Sequence, residues 1–369
     1  MAQIHKDQNN WTAAEDDLRG YLKDADLLHR YDPDNPEWWV EQSYAHNNLG
    51  ALAQTRGKPA QAAPSFVASI ALKRRALDRT PDSADVAVEL ADSYSWLASA
   101  RESLGELDEA RRLYEQEMHL VLRLRERYPG ESMWINRHVR ALQHRALISL
   151  ALGSDDDALR DYDAARQLFM GIVAQDPNNH IWQVDLASVE QERLRILGRR
   201  AGTRPGALAP QLAEVHRTLQ ALLALDPKNA SWARREAVAR TRLAGALHSG
   251  GRTQAAAHEL DEALARLRRL HQDNPSDQSL RLALIDALLQ SASMQQQQGN
   301  LNINTLSCRQ AYGMISADIE LTKDYLVLDP WVRINLCLQN HQLAESAVKR
   351  LQQIGYRDPA YVRHLLTYR

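Results

Sequence analysis

The 369-residue chain has little cysteine: Cys308 and Cys337 are the whole complement. Two thiols at that spacing form neither a disulfide framework nor a zinc-ligand pattern, and they leave the redox compartment open. An excess of charge of one sign is also missing, since 45 Lys and Arg face 47 Asp and Glu for a formal net charge of −2. Proteins that bind duplexes carry a clear basic excess, so nucleic acid is not an expected partner. No apolar run approaches the roughly 18 residues that span a bilayer, so insertion of this chain into a membrane is not expected. Residues 1–8 do not read as a signal peptide.

Chemistry-bearing motifs are equally scarce. GTRPGALAP at 202–210 has two glycines but neither the GxGxxG nor the GxxxxGK spacing, and it reads as a two-residue insertion in a longer pattern. No HExxH, paired-cysteine or EF-hand pattern occurs, and no GxSxG elbow marks a nucleophile. His138 and His144 share a helical segment, but six residues place them about 240° apart around the axis, which rules out a shared metal. Asp155, Asp156 and Asp157 follow a glycine at a helix start, where carboxylates complement the macrodipole. No enzyme activity, cofactor or metal is expected.

What the sequence has in quantity is helix former and repetition. Ala, Leu, Arg, Glu and Gln dominate, with only two Phe. Pro33, Pro81, Pro129, Pro177, Pro227 and Pro275 stand at separations of 48, 48, 48, 50 and 48. With each proline as position 0, position 5 is Trp38, Val86, Trp134, Trp182, Trp232 and Leu280, and position 24 is Gly57, Gly105, Gly153, Gly251 and Gly299 in five of six units. Ala62, Ala110, Ala158 and Ala256 follow those glycines by five, and Phe66, Tyr114 and Tyr162 follow by four more. Between proline and glycine runs an amphipathic helix, helix A. Glycine permits the positive φ that ends it, helix B follows, and the next proline stops helix B. Asp, Asn and Ser just after each proline are suited to cap the next helix A. The recurring tryptophans are expected to anchor the core.

Glycine, alanine, aromatic and a closing proline in that order resemble the tetratricopeptide repeat. That repeat is about 34 residues long, and here each of its two helices is longer by seven. The resemblance implies an all-α, tetratricopeptide-type, right-handed helical-hairpin solenoid (an α-α superhelix) with a C-terminal helical cap. Residues 1–32 read as helix B of an incomplete unit, 33–299 as six lengthened units, and 300–369 as a degenerate last helix with capping helices. The chain is thus expected to start in mid-repeat, as a fragment or with another molecule on its N-terminal edge. The closing segment, with DPW and AESAVKRLQQIGYRDPAYV, resembles the C-terminal repeats of bacterial membrane-anchored serine/threonine kinases or winged-helix regulators. Localisation would then be periplasmic, and otherwise cytoplasmic.

The resemblance also implies where a ligand would lie. Family contacts come from helix A, at positions that are here Tyr44, Asn47 and Gln54; Asp92 and Ser95; Arg140 and Gln143; Gln191 and Arg195. Asn, Gln and Arg on a groove wall can engage the amides and carboxylates of an extended peptide. The lysine-bearing carboxylate clamp of chaperone-binding relatives is absent, so a chaperone C-terminus is not expected. The expected function is a non-enzymatic protein- or peptide-binding scaffold or sensor of a larger bacterial signalling protein. The alternative is self-association as a homodimer through the N-terminal edge. Two arginine-rich stretches, Arg193–Arg195–Arg199–Arg200–Arg204 and Arg234–Arg235–Arg240–Arg242, are either solvated helix faces or a patch for an acidic partner.

Overall fold

The computed structural model describes residues 10–200, 203–299, 301–315 and 319–366, leaving aside the side chains of 301–304. The expected features at 1–9, 201–202, 300, 316–318 and 367–369 lie outside the described residues. Among the described residues the chain is all α-helix apart from one 3₁₀ turn. The helices are α1 Trp11–Tyr31, α2 Pro36–Thr55, α3 Pro59–Arg79, α4 Ala84–Ser103, α5 Leu107–Arg127, α6 Ser132–Ala151, α7 Asp155–Gln175 and α8 His180–Arg199. After the 3₁₀ turn Pro205–Leu208 come α9 Ala209–Leu225, α10 Ala230–Ser249, α11 Thr253–Asp273, α12 Gln278–Gln297, α13 Leu301–Ile315, α14 Tyr325–Cys337, α15 His341–Gln353 and α16 Pro359–Leu366. Two compact units divide inside α6, Met1–Ile148 and Ser149–Arg369, and each is a succession of paired, sequence-adjacent helices.

The repeat period is explicit in the helix limits. All six A helices (α2, α4, α6, α8, α10, α12) are 20 residues long and begin three residues after their proline. Five of them are capped by the residue two after that proline. The side chains of Asn35, Ser83, Asn179, Asn229 and Asp277 accept from N–H groups of the first turn, at 3.0–3.3 Å. At the other end, Gly57, Gly105, Gly153, Gly251 and Gly299 all have φ between 67° and 91°, the left-handed geometry that a helix stop requires. The unit without that glycine replaces the tight stop with the 3₁₀ turn, and its helix B, α9, is only 17 residues long.

Helix pairs close on small residues. Ala62, Ala110, Ala158 and Ala256 are fully buried, with Phe66, Tyr114 and Tyr162 buried one turn on. In α2 the small partner is Gly50, where an added Cβ would sit 2.7 Å from the Phe66 ring. The same repeat position, 17, is Ala98, Ala146, Ala244 and Ala292 in other units, all buried.

The tryptophan expectation needs correction. Trp134 and Leu280 are buried, but Trp38, Trp182 and Trp232 are only half-buried. In the first hairpin the deep residue is the next one, Trp39. It is fully buried, donates from Nε1 to the Pro33 carbonyl at 3.0 Å and carries the Arg75 guanidinium 3.8 Å above its ring.

The second unit has features that the period does not announce. Cys308 on α13 and Cys337 on α14 form a disulfide, which two cysteines in a sequence do not imply. Tyr325, Tyr356 and Tyr361 stack in succession beneath the cap helices. The Tyr356 hydroxyl donates to Asp329, which also accepts two bonds from Arg333. The turn before α16 then returns to the start of the unit. The Arg357 N–H donates to the Ala151 carbonyl at 2.8 Å, and Arg199 is paired with both Asp155 and Asp358 at 2.7 and 3.0 Å.

Candidate partner-binding wall

The nine side chains expected on the helix A wall meet different fates. Tyr44 on α2 is half-buried, with Lys73 Nζ 5.4 Å over its ring, and burial raises its pKa above the ordinary phenol value. Asn47 accepts from Ser93 Oγ at 3.2 Å. Ser93 in turn sits beside Lys73, a fully buried ammonium that donates to Ser93 Oγ and to the Glu89 carbonyl. Burial lowers the Lys73 pKa, with Glu89 opposing the shift. Gln54 points its Oε1 into a buried position with no hydrogen-bond partner. Asp92 is paired with Arg137 at 2.6 Å, and Ser95 bonds His144 Nδ1 at 3.3 Å. Arg140 is exposed and Gln143 half-buried; among the described residues neither side chain has a hydrogen bond or ion pair. In the second unit Gln191 is buried, and Arg195 is bonded to Glu192 at 2.6 Å, which raises its pKa against the opposing effect of burial.

Four of the nine, Tyr44, Asn47, Asp92 and Ser95, therefore hold neighbouring helices to one another. The physical reason is the repeat itself. Successive A helices lie side by side, so polar residues at equivalent heights meet across the interface before any partner arrives. Asp92–Arg137 and Asp185–Arg235 are two rungs of this kind. The arginine-rich stretches are absorbed similarly: Arg193 pairs with Asp163 and Glu190, Arg200 with Asp156, Arg240 with Glu236 and Glu259, and Arg242 with Asp286. Seven of the nine arginines are paired in this way, and Arg204 and Arg234 have no ion pair among the described residues. The three aspartates at the start of α7 take part, in addition to sitting in its first turn.

What remains on the first unit's wall is a smaller, more apolar surface. Trp96 on α4 is 41% exposed and stacks on Phe66 at 6.0 Å; Leu147 on α6 is 44% exposed. The Ser95–His144 bond joins α4 to α6 one residue from Trp96 and three from Leu147. Arg140 and Gln143 precede Leu147 by two turns and one turn of the same helix. Trp96 was missed as a candidate, yet the sequence marks it. Repeat position 15 is Asn48, His144, Glu192, Arg242 and Gln290 in the other units, and only here is it a large apolar side chain.

His138 and His144 go separate ways, as their spacing requires. His138 Nδ1 faces Arg125 at 2.8 Å, and burial, reinforced by that cation, lowers its pKa to about 4. His144 bonds Glu117 at 3.0 Å. Among the described residues no group of three or more His, Cys, Asp or Glu could hold a metal, and no helix is long and apolar enough to cross a membrane.

No family model matches this sequence, and no curated protein matches it significantly. Solved structures do resemble it. A tetratricopeptide repeat protein from Parabacteroides merdae is 16% identical over 85% of this chain and 90% of its own, with a TM-score of 0.42. A signal transduction ATPase with a tetratricopeptide repeat sensor from Pyrococcus horikoshii is 12% identical over 90% of this chain and 44% of its own, with a TM-score of 0.48. A Rap protein complexed with competence and sporulation factor is 12% identical, covering 95% and 84%, with a TM-score of 0.47. The fold is a tetratricopeptide-like helical-hairpin repeat, on the strength of the helix limits and turn glycines above. Likenesses this loose carry no function across.

Proposed function

We propose that the chain is a non-enzymatic protein-binding repeat module, and that the first unit engages a partner segment through Trp96, Arg140, Gln143 and Leu147. The observation that carries this reading is the exposed indole of Trp96 at a repeat position that is polar in every other unit. Tryptophan and arginine are the residue types that most often dominate interface energies. Held on rigid helices beside a free guanidinium, they suit an apolar side chain followed by a carboxylate. Tyr44, Asn47, Gln54, Asp92 and Ser95 then serve as the supporting frame, and the equivalent frame in the second unit includes Gln191 and Arg195. The similarity of the closing sequence to bacterial signalling proteins supports a sensor or scaffold role within a larger protein. The Cys308–Cys337 bridge supports an oxidising compartment such as the periplasm, where disulfides persist. The test is affinity capture followed by mass spectrometry, with wild type beside a Trp96→Ala/Arg140→Ala pair. A partner lost at least tenfold by the pair, with the melting curve unchanged, upholds the assignment; undiminished capture removes it.

A second reading, self-association, is favoured by a different observation. Leu27, Leu28 and Tyr31 at the end of α1 are exposed, Tyr31 by 90%. Sedimentation that shows a concentration-dependent dimer, abolished by Leu27→Glu, would support it over the first reading.

A further inference from the structure

Near the loops that begin with Pro227 and Pro275, the second unit opens a cleft of about 740 Å³ between α9, α10, α11 and the start of α12. Its walls depart from the repeat. Position 7 is Val40, Val88, Val184 and Leu282 in four units and Asn136 in a fifth, but in this unit it is Arg234. Nine residues before the closing proline stand Leu72, Leu120 and Leu168 in three earlier hairpins, but here Arg266. Two positions that are aliphatic in several other hairpins carry guanidinium groups in this one, and both line the cleft.

The two arginines are not equivalent. Arg266 donates to Glu236, a fully buried carboxylate that also accepts from His216 and Arg240, so its charge is already answered. Arg234 has no such partner. Among the described residues its side chain makes no hydrogen bond or ion pair, whereas the half-buried Arg137, Arg193, Arg195, Arg199, Arg235 and Arg242 are all paired. Burial and the neighbouring Arg235 lower its pKa, and the field of Asp277 only partly offsets them. Lys228 and Arg269 on the rim are also without ion pairs. The lining thus holds four bases (Lys228, Arg234, Arg266, Arg269) against two acids, Asp273 and Asp277. Asp277 is engaged at the α12 terminus, where it accepts from the Leu280 N–H. Beneath this rim the walls are aliphatic, with Leu223, Leu270 and Leu280.

We infer that this cleft is a binding site for a small amphiphilic carboxylate, its anionic head on Arg234 with Arg269 or Lys228 and its apolar body against Leu223, Leu270 and Leu280. A guanidinium partly removed from water and without a direct ion pair is costly, and a carboxylate answers it with two parallel hydrogen bonds. The volume is that of small-molecule pockets, roughly 300–1,000 Å³. The site is built from residues of the second unit alone, and the inference is independent of the function proposed for the first.

The test titrates the full chain by ligand-detected NMR with N-acetyl-leucine, its uncharged amide N-acetyl-leucinamide, inorganic phosphate, and a five-residue peptide ending in leucine. N-acetyl-leucine is expected to bind with a dissociation constant on the order of 1 mM, and the amide at least tenfold more weakly. Arg234→Val, which installs the residue of three other units, should weaken N-acetyl-leucine at least tenfold and leave the helical circular dichroism unchanged. Should that variant not fold, Arg269→Gln together with Lys228→Gln, both on the exposed rim, should weaken binding at least threefold. Equal binding of acid and amide, or undiminished binding in whichever variant folds, overturns the site. Tighter binding of phosphate overturns the amphiphilic ligand, and tighter binding of the peptide overturns the small-molecule assignment.

Discussion

Repeat position 9 carries His138 on α6 in the first unit and Glu236 on α10 in the second, and each is buried beside an arginine. Around His138 the framework is largely apolar: Trp134 packs with Leu124 and Ala87 and stacks on Tyr128 at 5.7 Å. Around Glu236 it is ionic, with His216, Arg240 and Arg266 converging on one carboxylate. Lys73 and Glu117 show that the first unit also buries charge, but the second adds a disulfide and a tyrosine stack in its cap. The same hairpin is thus assembled by two means. The disulfide and the tyrosine stack lie beyond the last 48-residue step, where the period ends.

The comparison is broken most directly at its two centres. Trp134→Ala should destabilise the first unit by about 3–5 kcal/mol through lost burial and a cavity. Glu236→Gln should cost the second unit about 2–3 kcal/mol, because Arg266 loses its ion pair to a buried carboxylate and Arg240 keeps only Glu259. Denaturant unfolding followed separately in the two units, for instance by hydrogen exchange, would show each loss confined to its own unit. Equal losses in both units from either variant would show that they unfold as one.

Reduction of the Cys308–Cys337 bridge, or its replacement by two serines, should lower the stability of the second unit by about 2–4 kcal/mol, and the first should not respond. Differential scanning calorimetry with and without reductant reads this directly. A smaller effect is expected at the small-residue contact of the first hairpin. Gly50→Ala places a Cβ against the Phe66 ring and should cost about 1–3 kcal/mol, whereas alanine at exposed Gly20, with open space around it, should not destabilise.

The mildest test is acidification. The folded pKa of His138 is depressed to about 4 from an ordinary 6.5, so the native state binds fewer protons than the unfolded chain between those values. Its contribution is present above about pH 6.5 and fades as pH falls toward 4. His364 in the second unit is shifted the same way, mainly by burial. The melting temperature should therefore fall between pH 6.5 and 4, and His138→Asn should flatten that slope for the first unit alone.

The hairpins were legible in the sequence because their determinants are local and recur. A cap two residues after proline, a positive-φ glycine and a buried alanine act within one helix turn. The wall was legible only in part. Position in a repeat specifies the helix and turn on which a residue stands. It does not specify whether a neighbour one period away neutralises that residue, as Arg137 does for Asp92 and Ser93 for Asn47. Trp96 needed the opposite treatment, since its signal was departure from the repeat. Cys308, Cys337, Arg199 and Asp358 were illegible for a different reason: their partners lie 29 to 159 residues away with no pattern linking them.

The Arg199–Asp358 pair has a consequence for how the second unit comes apart. In an open array of repeats each end has one neighbour instead of two, so melting starts by fraying there and moves inward. Asp358, in the turn before α16, is held on the same guanidinium as Asp155 at the start of α7, and the Arg357 backbone is bonded to Ala151. The two ends of the unit therefore support each other, and a chain of nearest-neighbour couplings becomes a loop of them. Loss begins with the opening of this clasp, and until it opens neither the first nor the last hairpin of the unit behaves as a terminus.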